Sequence, residues 1–287
     1  MAIASSLPTN QVSNRMTTDV HASARTYVLA HLPYLNCEPF FHGLALGARW
    51  RAGAMSPRQL GQEAEAGRVA AGPMSLVDFL RLQDRFERMG HLGIAARGRS
   101  GSTFLFSRVP MRQLGGAAIA VTEDTSTTAM LLRLILEQRE HLPGIQYRRV
   151  EQGWSASPAR LSEDVPAMLL IGDEAMQFRA ANRTHPFEVD LSFEWWLWQH
   201  LPCVFAVWAV RRECDAEAKD QLNRAVFKAL SANHGRLPEI GRDRAAALGL
   251  PPEAVTAYLE QFVYRLGELE EQGISRFTEL AHEHHLL

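Results

Sequence analysis

Short runs of apolar residues alternate along this chain with stretches in which apolar residues recur at helical spacing. The clearest runs are 117–121 (AAIAV), 167–171 (AMLLI) and 204–210 (VFAVWAV). Runs without polar alternation are typical of parallel strands that helices cover on both faces. Because these strands alternate with helices, the pattern predicts an α/β protein.

Punctuating residues predict where the helices begin and end. Ser56 precedes Pro57, the usual order of an N-cap and a first helical residue, and Gly67 ends that helix. Ser75 precedes a predicted helix over 76–86. Beyond the last apolar strand the spacing predicts three further helices, over 215–234, 236–248 and 252–285.

The composition is that of a globular protein with balanced charge. The 287 residues are 46% hydrophobic and 22% charged, and the formal net charge is −2. A general nucleic-acid binder needs many cations that neutralise phosphates, so we expect no nucleic-acid partner. No apolar run reaches the roughly 18 residues of a membrane span, so we expect no membrane partner.

The cysteines and the N-terminal segment indicate in which cellular compartment the protein is expected. Cys37, Cys203 and Cys214 show no CxxC spacing, which favours a reducing compartment without structural zinc. Residues 1–25 are rich in Ser, Thr, Asn and Ala and lack the apolar centre of a secretion signal. We therefore expect a disordered leader and a cytoplasmic protein.

Small polar residues stand at the ends of four predicted strands, where helices begin. They are Asn36, the segments 73–75 and 126–128, and the pair 172–173. Ligands of open α/β sheets bind outside the carboxyl ends of the strands, and helix N-termini there attract anions. The pattern therefore predicts a pocket for a small anion. The alternative is plain helix capping, since Ser, Thr and Asn cap helices in every kind of protein.

Common cofactor and enzyme signatures are absent from the sequence. It has no GxGxxG, GxxxxGKS/T, GxSxG or HExxH motif, so we expect neither a cofactor nor a metal. We interpret the cluster 282–285 (HEHH) as a solvated helix end rather than a metal site. Cys37 could be a nucleophile, but no His is paired with it in sequence, and we interpret it as a core residue.

Six short motifs occur in a recognisable order. They are 34–39 (YLNCEP), 71–80 (AGPMSLVDFL), 102–110 (STFLFSRVP), 125–133 (TSTTAMLLR), 170–175 (LIGDEA) and 194–208 (EWWLWQHLPCVFAVW). Together they resemble the chorismate dehydratase family, which supplies the first step of the futalosine route to menaquinone. The resemblance spans about residues 26–285.

The resemblance implies a type II periplasmic-binding-protein fold, in which two α/β lobes enclose a cleft. Lobe one would comprise residues 26–108 and 207–287, and lobe two residues 109–206. The chain would cross between the lobes near 103–110 and 204–210. A cleft between lobes agrees with the anion pocket expected at the strand ends.

The resemblance also implies a reaction. Chorismate would lose water and give 3-[(1-carboxyvinyl)oxy]benzoate, so the protein would be a hydro-lyase that needs no cofactor. Asn36 and Ser102 would be catalytic, Asn36 at the departing oxygen or the enolpyruvyl group and Ser102 at a carboxylate or hydroxyl. Residues at helix starts would bind the substrate. They are Ser75, Thr127, Thr128, Gly172 and Asp173.

No His, Asp or Glu in these motifs stands out as a general base. We hypothesise that a substrate carboxylate takes the proton while the protein supplies geometry. One position departs from the family, which often has Arg where this chain has Ser126. If that Arg pairs with a substrate carboxylate, the charge here would come from Arg97, Arg99 or Arg108; if it is structural, nothing changes.

Other functions stay open at this point. The same fold could bind a small carboxylate without chemistry, as a solute-binding protein or a sensor does. A relative could act on a later, futalosine-type substrate. The C-terminal helices could form only a dimer surface, and the sequence leaves a homodimer open.

Overall fold

The computed structural model describes residues 25–123, 125–151, 153–156 and 165–287. All of the predicted leader except Arg25 lies outside the described residues. The described strands are β1 Tyr27–His31, β2 Trp50–Ala54, β3 Ala71–Ser75, β4 Phe86–Ala96, β5 Thr103–Ser107, β6 Ala118–Thr122, β7 Gln146–Val150, β8 Ala167–Ile171, β9 Phe187–Asp190, β10 Cys203–Arg211 and β11 Phe262–Arg265. The α-helices are α1 Glu38–Phe41, α2 Pro57–Glu65, α3 Leu76–Arg81, α4 Ser126–Arg133, α5 Gly172–Ala181, α6 Leu191–Gln199, α7 Ala216–Asn233, α8 Leu237–Leu248, α9 Pro252–Glu260 and α10 Glu268–Glu283. No helix in this described part is both long and apolar enough to cross a membrane.

The described strands form two sheets with matching topology. The first has the order β11-β4-β10-β3-β1-β2 and the second the order β7-β6-β8-β5-β9. In each sheet one strand pairs in parallel with the next two along the chain: β1 with β2 and β3, and β6 with β7 and β8. An antiparallel strand follows, β10 beside β3 and β5 beside β8. This confirms the predicted α/β class.

The chain passes between the two sheets twice, between β4 and β5 and between β9 and β10. The predicted lobes instead divided the chain after residues 108 and 206. The structure places both crossings earlier in the chain than these boundaries. The reason is that β5 pairs over its length with β8 and β9 of the second sheet, and β10 pairs with β3 and β4 of the first. The apolar runs of β5 and β10 do not reveal which sheet each joins. The division into two lobes itself stays a prediction.

The C-terminal segment corrects one predicted helix. Instead of a single helix over 252–285, the chain forms α9, the strand β11 and then α10. Phe262 and Tyr264 are buried whereas Arg265 is exposed, so the side chains alternate as in a strand. β11 pairs with β4, where Phe262 lies opposite Ala96. Pairing with a sheet edge thus overrides the helical spacing of the flanking residues.

Strand β10 contributes to two apolar cores. Its Trp208 is fully buried on one face and packs against Phe40 with ring centroids 5.3 Å apart. Val207 belongs to a second core that also holds Leu105 and Ile119 of the other sheet. Successive residues of a strand point to opposite faces, so this one strand connects the packing of both sheets.

Gly273 lets α10 approach the second crossing closely. A Cβ atom at Gly273 would lie 2.4 Å from the Pro202 carbonyl oxygen. We expect Gly273→Ala to lower the free energy of unfolding by about 2 kcal/mol, although alanine favours helices over glycine. Chemical denaturation measures this change. The control is Gly235→Ala, since a Cβ there meets nothing within 4 Å, and equal stability of both variants would contradict the prediction.

Candidate active site

One cavity lies where the starts of α3, α4 and α5 face the turn after β1 and the first crossing between the sheets. It opens to solvent, and its space, counted together with the open mouth, is about 650 Å³. Six of the predicted site residues line it: Asn36, Ser75, Ser102, Thr127, Thr128 and Gly172. The rest of the wall consists of Leu32, Tyr34, Cys37, Pro57, Pro73, Ile94, Thr103, Thr125, Ser126, Ile171, Phe205, Ala206 and Phe262.

Asn36 is presented by a short 3₁₀ turn, Leu35–Cys37, that closely follows β1. Leu35 and Cys37 are buried, and the half-buried Asn36 lines the cavity. The Cys37 thiol donates to Asn36 Oδ1 over 3.6 Å, which engages the amide oxygen. The amide nitrogen Nδ2 has no protein partner within the described residues. It is therefore available to donate to an oxygen of a ligand.

Asp173 lies behind the Asn36 turn rather than in the cavity wall. Its Oδ1 accepts a hydrogen bond from the Leu35 N–H at 3.0 Å, and its Oδ2 is 3.4 Å from the Arg244 guanidinium. Burial raises the pKa of Asp173, while the Leu35 N–H and Arg244 oppose that rise. Its predicted contact with substrate does not match this placement. The carboxylate instead holds the turn that presents Asn36.

Ser102 lies in the first crossing and is held by a tyrosine from the far end of the chain. The Tyr258 hydroxyl, on α9, donates to Ser102 Oγ over 2.8 Å. Burial raises the pKa of Tyr258, so its hydroxyl stays protonated. Because Ser102 Oγ accepts from Tyr258, its own proton is left to donate into the cavity.

Asp190 anchors the loop that carries Ser102. Its carboxylate accepts from the backbone N–H groups of Ser100 at 3.0 Å and Gly101 at 2.8 Å. The same side chain caps α6 by accepting from Ser192 and Phe193. Burial raises the pKa of Asp190, and these donors oppose that rise. One buried carboxylate thus joins the first crossing to the start of α6.

Gly172 begins α5 with φ +57°, a conformation that favours glycine. A Cβ atom there would lie 2.5 Å from Cδ1 of the Tyr34 ring, so only glycine lets that ring pack against α5. Its N–H donates to the Ser102 carbonyl at 2.8 Å. That donor is occupied, and the predicted role of Gly172 as a carboxylate donor does not fit its hydrogen bond.

Among the three helix starts, that of α4 leaves the most hydrogen-bond donors without a partner in the described part of the protein. The Thr125 hydroxyl donates to the Thr122 carbonyl instead of capping the helix. Thr127 Oγ1 accepts from the Val77 N–H at 3.2 Å. The Thr128 hydroxyl has no protein partner within the described residues. An uncapped helix start beside this hydroxyl suits a carboxylate.

The wall of the cavity lacks formal charge: none of the described lining residues is Asp, Glu, His, Lys or Arg. The arginines considered as replacements for the family's Arg lie elsewhere. Arg97 is paired with both carboxylate oxygens of Glu270, and Arg99 stacks over the Phe193 ring at 4.1 Å. Arg108 follows β5 and is not among the lining residues.

Cys37 is a core residue, as its sequence context predicts. It is 2% exposed, and burial, helped by the nearby carboxylates of Asp173 and Glu38, raises the pKa of its thiol. A thiol that stays protonated is a poor nucleophile. The polar groups of the cavity are therefore neutral donors and acceptors set among apolar walls.

The family profile described as menaquinone biosynthesis matches residues 27–283. The chain belongs to this menaquinone biosynthesis family. Over 269 residues it is 33% identical to the chorismate dehydratase of Thermus thermophilus, an alignment that covers 89% of this chain and 95% of the relative. The resemblance inferred from the six motifs is thereby confirmed.

Solved structures give this family member the fold of periplasmic binding proteins. A protein from Archaeoglobus fulgidus superposes with a TM-score of 0.74 at 21% identity, over 93% of this chain and 100% of that one. The periplasmic aliphatic sulphonate binding protein of Escherichia coli superposes with a TM-score of 0.63 at 13% identity, over 92% of this chain and 89% of that one. The predicted fold class is confirmed.

Sequence reasoning on this family member found residues at helix starts but missed those that act over long sequence separations. Tyr258 reaches Ser102 across 156 positions, and Asp190 reaches the first crossing across 89. No local pattern marks either contact. Tyr34 and Phe205 of the cavity wall do lie within matched motifs, so a search of those motifs for aromatic side chains would have found them.

We expect Asp190→Ala to lower the free energy of unfolding by about 3 kcal/mol, because four backbone N–H groups lose their acceptor. Ser56→Ala removes a more exposed helix cap on α2 and should cost about 1 kcal/mol. Denaturant unfolding of both variants measures the difference. A loss for Asp190→Ala no larger than that for Ser56→Ala would contradict its role as the anchor of the loop.

Proposed function

We propose that this chain is a chorismate dehydratase, a hydro-lyase that converts chorismate into 3-[(1-carboxyvinyl)oxy]benzoate and water. The observation that carries the proposal is the 33% identity to a chorismate dehydratase over 89% of the chain. The geometry supports it, since Asn36 and Ser102, the two residues carried over as catalytic, line the same cavity.

The reaction breaks two bonds on neighbouring ring carbons. The carbon that bears the enolpyruvyl ether loses its proton, and its neighbour loses the hydroxyl group, so that one water leaves and the ring becomes aromatic. Asn36 Nδ2 would donate to the departing oxygen or to the enolpyruvyl group. The Ser102 hydroxyl, aligned by Tyr258, would donate to a carboxylate or a hydroxyl of the substrate.

The substrate carboxylates would be held by neutral donors. The uncapped start of α4 and the Thr128 hydroxyl offer such donors on one side of the cavity. Apolar side chains such as Ile94 and Phe205 form part of the remaining wall. Hydrogen bonds gain strength in such a low-dielectric site and need little reorganisation during the reaction.

A substrate carboxylate would take the ring proton. No carboxylate or imidazole is among the described lining residues, and the only thiol there has a raised pKa. The protein would then act by orienting the substrate and by stabilising the developing charge on the departing oxygen. Aromatisation of the ring supplies the thermodynamic drive.

The test is to incubate the purified protein with chorismate and to analyse the products by liquid chromatography with mass detection. A product lighter by one water with an aromatic spectrum is expected. Unchanged chorismate that nevertheless raises the melting temperature would favour a carboxylate-binding protein. Unchanged chorismate without such stabilisation would favour a later enzyme of the same route.

The proposal also includes the futalosine route and a cytoplasmic location. The three cysteines are free thiols, which suits a reducing compartment. Light scattering on the purified protein tests the homodimer, which stays a prediction.

We expect Asn36→Ala and Ser102→Ala each to lower kcat for chorismate by about 10²-fold or more, because each removes a donor to developing charge. Steady-state kinetics measure the loss, and the thermal shift with chorismate reports binding. The matched controls are Asn223→Ala and Ser231→Ala on the exposed face of α7, which should keep full activity. Full activity of either site variant would remove that residue from the mechanism.

We expect Tyr258→Phe to lower kcat about tenfold with little change in KM, because Ser102 loses the donor that aligns its hydroxyl. The control is Tyr264→Phe on β11. The Tyr264 hydroxyl is buried without a partner among the described residues, so its removal should leave activity unchanged and stability equal or higher. Equal kcat values for the two variants would contradict the alignment of Ser102 by Tyr258.

A further inference from the structure

Asp78 joins the two sides of the cavity from outside its wall. Its Oδ2 accepts from Ser75 Oγ at 2.7 Å and from Ser126 Oγ at 3.1 Å. Ser75 ends β3 of the first sheet and caps α3, whereas Ser126 begins α4, which follows β6 of the second sheet. A single carboxylate oxygen therefore connects two cavity-lining hydroxyls, one on the last residue of β3 in the first sheet and one on the helix that follows β6 of the second sheet.

Other contacts cross the same seam between α3 and α4. The Val77 N–H, next to Asp78, donates to Thr127 Oγ1. Arg58 of α2 pairs with Glu123, which lies just before α4. These contacts make the α3–α4 seam a closure point between the two sheets. Asp78 contributes a half-buried carboxyl group to it.

The same hydrogen bonds separate the cavity from a second pocket. This outer pocket, counted together with its open mouth, is about 610 Å³ and is lined by Asp78, whereas Ser75 lines only the inner cavity. Ser126 lines both. The bonds from Ser75 and Ser126 to Asp78 thus run along the boundary between the two spaces.

Asp78 forms no ion pair among the described residues. Helix α2 packs so closely on it that a Cβ at Gly61 would lie 3.2 Å from Oδ2. Burial raises the pKa of Asp78, and the hydrogen bonds from Ser75 and Ser126 oppose that rise. The charged groups around it are Arg81 on its own helix, Arg58 and Glu65 on α2, and Glu123 before α4, which is bound to Arg58.

We propose that Asp78 is a positioning residue that holds Ser75 and Ser126 in the cavity wall and keeps the α3–α4 seam closed around the substrate. It does not line the cavity, so it acts through the two serines and takes no proton from substrate. The expected effect of this positioning on the kinetics with chorismate rests on the proposed function. The closure of the seam does not.

Hydrogen–deuterium exchange without substrate tests the closure. We expect Asp78→Asn to speed exchange about tenfold in peptides over 74–82 and 125–133, because the two serines lose a charged acceptor. The matched control is Asp84→Asn, which neutralises an exposed carboxylate nearby and should exchange as the wild type does. Ser126→Ala should speed exchange in the α4 peptide more than in the α3 peptide. Exchange of Asp78→Asn equal to the control would overturn the proposal.

Kinetics with chorismate test the positioning role. We expect Asp78→Asn to raise KM about tenfold while kcat changes less than about threefold. In the wild type KM should rise as pH falls through the raised pKa of Asp78, because the protonated carboxyl accepts more weakly. Asp78→Asn should lack this rise in KM. Asp84→Asn should keep it, together with any pH dependence of KM that comes from titration of the substrate.

The melting temperature separates positioning from a general structural role. Asparagine has nearly the size of aspartate and keeps one side-chain oxygen as an acceptor, so Asp78→Asn should melt close to the wild-type temperature. A lower melting temperature together with unchanged KM would overturn the proposal. A collapse of kcat with KM intact would make Asp78 the base and would overturn it too. If the wild type fails to convert chorismate, the proposed function fails, and the exchange experiment alone decides the closure.

Discussion

Helix starts that face one cavity are the constraint on which the rest of this structure depends. α3, α4 and α5 each begin where a strand ends, so their N-terminal groups point toward the same space. At two of these starts the cavity-lining residue already has a hydrogen-bond partner within the protein. Ser75 is hydrogen-bonded to Asp78, and the Gly172 N–H donates to the Ser102 carbonyl. The start of α4 keeps its donors. The cavity can therefore hold an anion without a cation in its wall.

Three aspartates, of which Asp190 is buried and Asp78 and Asp173 are half-buried, hold the polypeptide around this space. Asp173 fixes the turn of Asn36, Asp190 fixes the loop of Ser102, and Asp78 fixes the seam between α3 and α4. Burial raises the pKa of each carboxyl, and backbone N–H or hydroxyl donors offset part of that desolvation. None of the three aspartates is among the residues that line the cavity. Their charge serves the geometry of the wall and stays out of contact with a bound anion.

Neutral walls suit the proposed reaction. A base on the protein is unnecessary if the substrate brings its own carboxylates, and aromatisation favours the products. The protein then contributes orientation and donors aimed at the departing oxygen. Asn36 and Ser102 are prepared for this by their own partners, because the Cys37 thiol engages the amide oxygen and Tyr258 engages the serine oxygen. Both contacts leave a side-chain donor available on a residue that lines the cavity.

The sequence by itself determined the α/β class, the family, and the residues at strand ends that meet in the cavity. These follow from local pattern, since apolar runs, capping residues and short motifs are readable within a few positions. Only the tertiary structure decided the sheet that β5 and β10 join, and the strand β11 inside a segment of helical spacing. It also decided that Asp173 supports the wall from behind and that Tyr258 aligns Ser102. Such contacts join residues far apart in the chain, and they depend on packing that no local pattern encodes.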